Sequence, residues 1–493
     1  MSTEEKPIVN VGKECKFVVH IPKEETEDGE VIRPDLHFVK EVEFKEDGTS
    51  EKKIRIIKDF QKPFYVTKPH FQNHEQKKES ESLDKLNKFF ATESDMLKEV
   101  ARKLGARYQG KKNERFIKDN PYIYGLDVTS RTYIKKAYID KFGIFTPYDV
   151  CVLDIENEID GEQRISVISI TMGKKTFTTI LEGWLEKSQN NIDKINLLYK
   201  NMVPQVDYVQ DIEDETIFCK TEVEMIQKIF KKMHEWKPDL VEIWNFMYDI
   251  GKILECLEKN NIDPKDVFSD PDIPEEYRYF KLKKGKVSRM TEKGVHKSLD
   301  FYEQWHTIVA PCSFYIVDGA SAYYYIRQGG KKVPTGYGMD SIIEKEVGKD
   351  FKKLKIEDGI AETLEKADWH IYMSNKRKHE YVVYNKYDTR GPLVLDGETK
   401  DLAVNLPVLS GYSPFEFFNS NPIRIVEALH FFYEERGWIL GSAPSTKNDD
   451  KLMGLSNWIV LLPSYRIKPN GANLISESSS INTLIRLAVG DAD

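Results

Sequence analysis

The stretch CVLDIENEID at residues 151–160 decides the fold class, because it reads as a short buried strand that ends in acids. Asp154 lies between Leu153 and Ile155, and an unpaired charge in such apolar surroundings is costly. Asp154 and Glu156 are two residues apart, so both side chains project from one face of the strand. Two carboxylates placed in this way can hold a divalent ion, although surface strands often end in acids as well.

The segments after this strand predict a mixed sheet flanked by helices. RISVISITMG (164–173) and TFTTILEG (176–183) indicate an antiparallel meander. The next helix, at 221–237, opens with the capping-box pair Thr221 and Glu224 and carries apolar residues on one face. The strand LVEIW and a further helix follow. This order predicts an α/β domain over residues 146–395, in the arrangement of ribonuclease-H-like nucleases.

Two further regions flank the predicted α/β domain. Residues 1–145 combine strand-like segments with a helix at 94–105 and indicate a small α+β domain. Residues 396–493 begin with a strongly helical segment, in which Gly437 is the expected stop, and end with an apolar strand. We therefore expect a multidomain protein that combines α/β and α+β parts.

The composition is that of a large soluble protein. The 493 residues suffice for about three domains at roughly 150 residues each. No apolar run approaches the roughly 20 residues of a bilayer span, and the N-terminal residues show no secretory signal pattern. The five cysteines are widely spaced, without a CxxC pair. These features predict a cytoplasmic protein with reduced thiols, no cysteine zinc site and no membrane partner.

The net charge of −8 repels polyanions, so any DNA binding must use local basic stretches. KLKKGKVSR (281–289) is such a stretch, and it contributes Lys283, Lys284, Lys286 and Arg289. A run of this kind is also typical of a solvated surface loop.

Two later segments supply further acids. In IWNFMYDIG (243–251), a buried strand ends at Trp244, and Asp249 falls where the next helix begins, so an N-cap role is equally open. In YVVYNKYDTRG (381–391), Tyr384 and Asp388 share a helix face, although helical aromatics are often core. Four acids from such elements suit a two-metal phosphodiester hydrolase, in which two hard cations need oxygen ligands.

These motifs resemble the proofreading exonuclease of family B DNA polymerases, particularly the phage type. A DxE motif at 154–156, an NxxxD motif from Asn245 to Asp249 and a YNxxD motif from Tyr384 to Asp388 occur in the family's order. Bacterial proofreading subunits usually carry a histidine near the position of Tyr384. The segments 125–138, 297–305 and 336–348 also resemble parts of the family, the second of them a strand between the second and third motifs.

The resemblance implies roles for these residues. Asp154, Glu156, Asp249 and Asp388 would bind two Mg²⁺ ions, for which Mn²⁺ can substitute, and Tyr384 would position the attacking water. The single-stranded 3′ end of a primer-template would be the substrate. Asn245 and the basic residues Lys283, Lys284, Lys286 and Arg289 would contact DNA, the latter where phage members carry a strand-separating hairpin.

The family places a polymerase palm after the exonuclease, and its first metal ligand closes an apolar strand. LIRLAVGDAD (484–493) reaches an aspartate at that place, so Asp493 is the expected polymerase ligand, with Asp491 as the less favoured alternative. A split polymerase, an intein or a truncated chain would each explain this ending. Because a half-built palm would expose an apolar strand edge, we expect a separate chain that carries the remaining palm, fingers and thumb.

The expected function is therefore that of the exonuclease-bearing N-terminal part of a replicative DNA polymerase. A stand-alone 3′→5′ exonuclease is the alternative enzyme. A DNA-binding scaffold subunit with an inactive nuclease is the alternative without catalysis. Four clustered acids that bind no metal would repel one another, which argues against the inactive scaffold.

Overall fold

The computed structural model describes residues 11–441, except 76, 160, 291–293, 328–335, 352, 355, 357 and 365. These residues form a mixed α/β protein. The strands are β1 (Gly12–Ile21), β2 (Glu24–Glu25), β3 (Val31–Arg33), β4 (Leu36–Phe44), β5 (Ser50–Lys58), β6 (Lys62–Thr67), β7 (Ser80–Ser82), β8 (Leu86–Ala91), β9 (Ile123–Tyr124), β10 (Val150–Asn157), β11 (Ile165–Met172), β12 (Lys175–Leu181), β13 (Glu213–Cys219), β14 (Leu240–Ile243), β15 (Lys281–Lys283), β16 (Ser288–Met290), β17 (His296–Ser298), β18 (Thr307–Val309), β19 (Tyr315–Asp318) and β20 (Trp438–Leu440).

The α-helices alternate with these strands through the middle of the chain. They are α1 (Met96–Lys103), α2 (Glu114–Lys118), α3 (Ser130–Phe142), α4 (Gln189–Met202), α5 (Asp207–Gln210), α6 (Glu222–Trp236), α7 (Phe246–Lys259), α8 (Pro264–Phe268), α9 (Gly319–Ile326), α10 (Met339–Glu346), α11 (Lys366–Lys376), α12 (Lys378–Thr399), α13 (Leu406–Ser410) and α14 (Asn421–Glu434).

An eight-stranded mixed sheet organises the larger part of the described chain, with the strand order β13-β12-β11-β10-β14-β19-β18-β15. Strands β10, β11 and β12 form an antiparallel meander. Strand β14 runs parallel to β10, and β19 runs parallel to β14. The predicted meander and mixed sheet are therefore confirmed.

Helices cover this sheet through apolar faces. Helix α12 packs along β10 and β11, and α6 packs on β11 and β12. The α6 residues Met225, Ile226, Ile229, Phe230 and Met233 are all buried, as their spacing predicts.

Helix α6 begins at a side-chain cap. Thr221 Oγ1 accepts from the Glu224 amide at 3.2 Å, which confirms the predicted cap. The Glu224 carboxylate accepts in return from the Lys220 amide at 2.9 Å, one residue before the cap. Thr221 and Glu224 therefore stabilise the first turn of the helix and the residue just before its cap.

The described residues divide into two compact units by their contacts. The described residues of the first unit lie within the ranges 11–59, 134–326 and 336–424. It holds the sheet of β1, β4 and β5 together with the eight-stranded sheet, since Phe17 and Phe38 share a core with Val150, Leu240 and Val317. These contact-based units differ from the domain boundaries at 145 and 395 that the sequence pattern suggests. Those boundaries stay a prediction about functional domains.

The described residues of the second unit lie within the ranges 60–133, 327 and 425–441. It contains the three-stranded sheet β8-β6-β9, and helix α1 confirms the helix predicted at 94–105. Phe64 and Tyr65 on β6 are fully buried. Phe64 and Tyr65 could stack on nucleic-acid bases only if their rings were exposed, and they are instead part of the core of this unit.

Several smaller expectations also meet the structure. All five cysteines are buried free thiols, as predicted. The segment 297–305 is not one strand, because it covers the end of β17 and a 3₁₀ turn at Phe301–Glu303.

Within the described part of the chain, no helix has the length and apolar character needed to cross a membrane.

Candidate active site

Strand β10 presents the first two acids to helix α12. The Asn385 amide donates to Asp154 Oδ2 at 2.8 Å, and the Tyr381 hydroxyl donates to Glu156 Oε2 at 2.5 Å. Both partners lie on α12, so the helix fixes the two carboxylates that the strand presents. The alternative of a solvated acidic strand end is wrong for Glu156, whose side chain is buried.

Helix α12 also brings the third acid to this place. Carboxylate oxygens of Asp154, Glu156 and Asp388 all lie within 4.8 Å of one another. Tyr384 and Asp388 are one turn apart on α12, and both are buried. Residues that are more than two hundred positions apart in the chain thus meet in one cluster of oxygen ligands.

Asp249 lies beside this cluster, in the first turn of α7. Asn245 occupies the N-cap position, so the alternative in which Asp249 caps the helix is wrong. The Asp249 side chain is only 2% exposed, and among the described residues its Oδ2 atom has no hydrogen-bond partner. The fourth predicted acid is therefore buried without a structural partner for this oxygen.

A cavity of about 540 Å³ opens onto these acids. A smaller cavity of about 200 Å³ shares Asp154, Lys353 and Asp388 with it. The predicted residues that line the larger cavity are Asp154, Glu156, Asn245, Asp249, Tyr384 and Asp388.

Lys353 is a site residue that the sequence does not reveal. Its Nζ donates to Tyr384 Oη at 2.7 Å and to Asp388 Oδ2 at 2.8 Å. In the sequence it is one of three lysines at positions 352, 353 and 355, and no local pattern distinguishes it from the other two. Only the tertiary structure places this cation between the phenol and the carboxylate.

Tyr381 and His370 extend the site behind Glu156. The His370 Nδ1 atom lies 2.8 Å from the Tyr381 hydroxyl and 3.6 Å from Glu156 Oε2. Tyr381 is three residues before Tyr384, and the two rings stack at 6.1 Å with an interplanar angle of 18°. The i, i+3 spacing on one helix face is the signal that could have identified Tyr381.

Burial and mutual repulsion control the charge of these acids. Burial raises the pKa of Asp154 well above its usual value, and the charges of Asp249, Asp388 and Glu156 raise it further. Burial and the Glu156 charge likewise raise the pKa of Asp249 well above its usual value. Burial raises the pKa of Asp388 to about 6, even though Lys353 lowers it. Lys353 alone therefore cannot balance the charge that the four acids would carry if all were ionised, and the site favours protonated carboxyl groups when no cation is bound.

The basic residues lie elsewhere in the first unit. Lys283 ends β15 at the edge of the large sheet and forms an ion pair with Glu416 at 2.7 Å. Arg289 lies on β16, which pairs with β17 as a two-stranded ribbon. Lys284, Lys286 and Arg289 are exposed, and none of the four basic residues is among the described residues that line the two cavities. DNA contact by these residues stays a prediction.

The predicted polymerase ligand Asp493 lies outside the described residues. No protein-family model matches the chain, and no curated protein matches its sequence.

Proposed function

We propose that this chain is the exonuclease-bearing N-terminal part of a family B DNA polymerase and removes mispaired 3′ ends by two-metal hydrolysis. The observation that carries the proposal is the convergence of Asp154, Glu156 and Asp388 within 4.8 Å. Asp249 and Tyr384 line the same cavity. Five residues from three separate motifs thus line one cavity, which supports the proposed chemistry.

The order of strands supports a ribonuclease-H-like domain. Strands β12, β11 and β10 are antiparallel neighbours, and β14 and β19 continue the sheet in parallel. In this arrangement the acids of β10 face a late helix, α12, and the α7 acid follows the central parallel strand β14. The proposed nuclease uses these three elements to hold its metal ligands.

The acids fit a pair of divalent cations. Within the described residues, Asp249 Oδ2 and Asp388 Oδ1 are buried and have no hydrogen-bond partner. Carboxylate oxygens are the ligands that Mg²⁺ prefers, and a bound cation would relieve the repulsion that raises the pKa values of these acids. Asp154, Glu156, Asp249 and Asp388 would hold the ions. When bound, Mg²⁺ polarises the phosphoryl oxygen and favours ionisation of water.

Neighbouring side chains orient the carboxylates and favour the ionised form that metal binding requires. Tyr381 and Asn385 hold Glu156 and Asp154 through the hydrogen bonds described above. Lys353 donates to Asp388 and favours its ionised form. Burial and the Asp388 charge raise the pKa of Tyr384, so its hydroxyl keeps its proton and orients water instead of acting as a base.

The remaining parts of the proposal concern partners. A primer-template would bring a frayed 3′ end to the cavity, and synthesis would require the palm, fingers and thumb of the polymerase. We place this activity in the cytoplasm, the host cytoplasm for a phage protein.

The first test is the shortening of 5′-labelled single-stranded DNA by the chain with Mg²⁺. We expect a ladder of products from the wild type, and none from the Asp154→Ala, Glu156→Ala double variant. Glu162→Ala is the matched control, because this acid is exposed on the turn between β10 and β11. The control should cut like the wild type.

The outcomes separate the proposed functions. Equal cutting by the double variant would refute the site. Absence of cutting with Mg²⁺ and with Mn²⁺ would favour the inactive DNA-binding scaffold. Synthesis that appears only when a palm-bearing chain is added would distinguish a polymerase subunit from a stand-alone exonuclease.

A further inference from the structure

A second group of potential metal ligands lies in the sheet of β1, β4 and β5. It consists of His20, Asp35 and His37, whose ligand atoms all lie within 4.8 Å of one another. None of these residues belongs to the proposed nuclease site, and the chemistry of the group differs because two imidazoles replace carboxylates. The inference drawn from it is independent of the proposed function.

Strand pairing brings the three side chains to one face. His20 on β1 is the direct partner of His37 on β4 in the antiparallel ladder. Asp35 precedes β4 by one residue and lies two residues from His37, so it shares that face. The imidazole rings stack at 4.8 Å with an interplanar angle of 29°.

Backbone contacts hold Asp35 in place. The Asp59 amide donates to the Asp35 carbonyl at 2.8 Å, and the Asp35 amide donates to Asp59 Oδ1 at 3.2 Å. Strand β4 pairs with β5 up to Lys58, the residue before Asp59. The carboxylate is therefore presented by a fixed turn and not by a loose loop.

The distances suit a shared ion. His20 Nε2 lies 3.0 Å from Asp35 Oδ2, and His37 Nδ1 lies 3.6 Å from Asp35 Oδ1. Tetrahedral ligands with metal bonds of about 2.0–2.1 Å lie roughly 3.3 Å apart, between these two values. The shorter contact is also a hydrogen bond, whereas the longer one exceeds hydrogen-bond length.

Two of the three side chains are buried, and the third is partly exposed to solvent. The side chains of Asp35 and His37 are fully buried, whereas that of His20 is 15% exposed. An ion can therefore enter past His20, and water can complete the coordination, as in zinc sites with three protein ligands.

We propose that His20, Asp35 and His37 bind one divalent transition-metal ion of the Zn²⁺ class. Two imidazole nitrogens and the Asp35 carboxylate favour Zn²⁺ or Co²⁺ over Mg²⁺, which prefers oxygen ligands. The ion joins β1 to β4 where the two strands enter the connection that contains β2 and β3. It stabilises the folded sheet by mass action, because the unfolded chain does not hold the three ligands together.

The test is a Co²⁺ titration of the full chain, followed by the visible absorption of low-symmetry Co²⁺. We expect one absorbing ion per chain in the wild type. His20→Gln removes the partly exposed ligand and should weaken binding by more than about 100-fold, beyond the 10–100-fold that loss of an outer-sphere partner costs.

Two control variants separate this site from other ligands. His70→Gln removes an exposed histidine outside the group. Asp154→Asn with Asp388→Asn removes two nuclease carboxylates. Both controls should keep the Co²⁺ band, whereas a band lost only with the carboxylate pair would overturn the proposal and assign the ion to the nuclease site.

Two further results would also overturn it. One is a wild type without a Co²⁺ band, and the other is a folded His20→Gln chain with an unchanged band. If circular dichroism shows that this variant does not fold, X-ray absorption of the Zn²⁺-loaded wild type decides. Scattering from two imidazoles supports the proposal, and a shell of oxygens alone refutes it.

Discussion

Among the described residues, Lys353 is the one lysine or arginine that forms an ion pair with the proposed metal-binding carboxylates, and its replacement with methionine removes that charge while keeping most of the side chain's length. The Lys353 ammonium contacts Asp388 Oδ2 at 2.8 Å and Tyr384 Oη at 2.7 Å. Burial lowers the pKa of Lys353, but Asp388 and Tyr384 outweigh that effect and raise it well above its usual value. The wild-type side chain is therefore charged at any working pH, and Lys353→Met deletes a full charge.

The size of the effect follows from the lost contact. A hydrogen bond to a charged group is worth roughly 1.5–3 kcal/mol. Its loss should raise the pKa of Asp388 from about 6 to roughly 7–8. Metal binding requires the deprotonated carboxylate. At pH 7 the ionised fraction, and with it the rate at limiting Mg²⁺, should fall roughly twofold to tenfold, and it should recover by about pH 9.

The assay is single-turnover shortening of labelled single-stranded DNA from about pH 6 to pH 9.5 at limiting Mg²⁺. Lys349→Met is the control, because the Lys349 side chain is 82% exposed and lies four residues away. We expect an alkaline shift of the pH profile in Lys353→Met only. A profile that keeps its shape, with the same loss at every pH, would refute the role of Lys353 in ionising Asp388.

Three further predictions follow from the carboxylate cluster. Because burial raises the pKa of Asp388 from 3.8 to about 6, the folded state binds this proton more tightly than the unfolded state. The metal-free chain should therefore lose stability, by roughly 3 kcal/mol, as the pH rises from about 4 to above 6, and calorimetry should show a larger Mg²⁺ stabilisation at pH 8 than at pH 5.5. Glu156→Gln removes one negative charge from the cluster and keeps an oxygen that can accept from Tyr381. The loss of repulsion should raise the metal-free melting temperature at pH 8, and the loss of a ligand should abolish the Mg²⁺ stabilisation. Tyr384→Phe keeps the ring contact with Trp369 at 4.9 Å and should lower the single-turnover rate by roughly 100-fold, with a small fall in melting temperature because Lys353 loses one of its two acceptors.

Local patterns predict much of the fold around the site. The alternation around Asp154 predicts strand β10, because side chains on a strand alternate with a period of two. The Thr221 cap and the apolar spacing that follows predict helix α6 for the same kind of local reason. The four-residue spacing of Tyr384 and Asp388 predicts that they share a face of α12.

Local patterns fail where the outcome depends on distant partners. Asp249 and Asn245 both suit a helix start, and the tertiary structure buries the aspartate and leaves the asparagine at the cap. Phe64 and Tyr65 suit either a core or a stacking surface, and they are buried in the second unit. In each case the burial of the side chain depends on which distant residues pack against it, and the neighbouring sequence does not contain that information.

The sequence by itself determined which residue types are available and on which local face each one lies. It therefore contained the four acids, the tyrosine and the mixed sheet that carries them. Only the tertiary structure decided that Lys353 meets Asp388 and that His20 meets His37 across Asp35. The physical reason is that faces and caps depend on neighbours within a turn or a strand, whereas these contacts depend on strand register and chain closure over long separations.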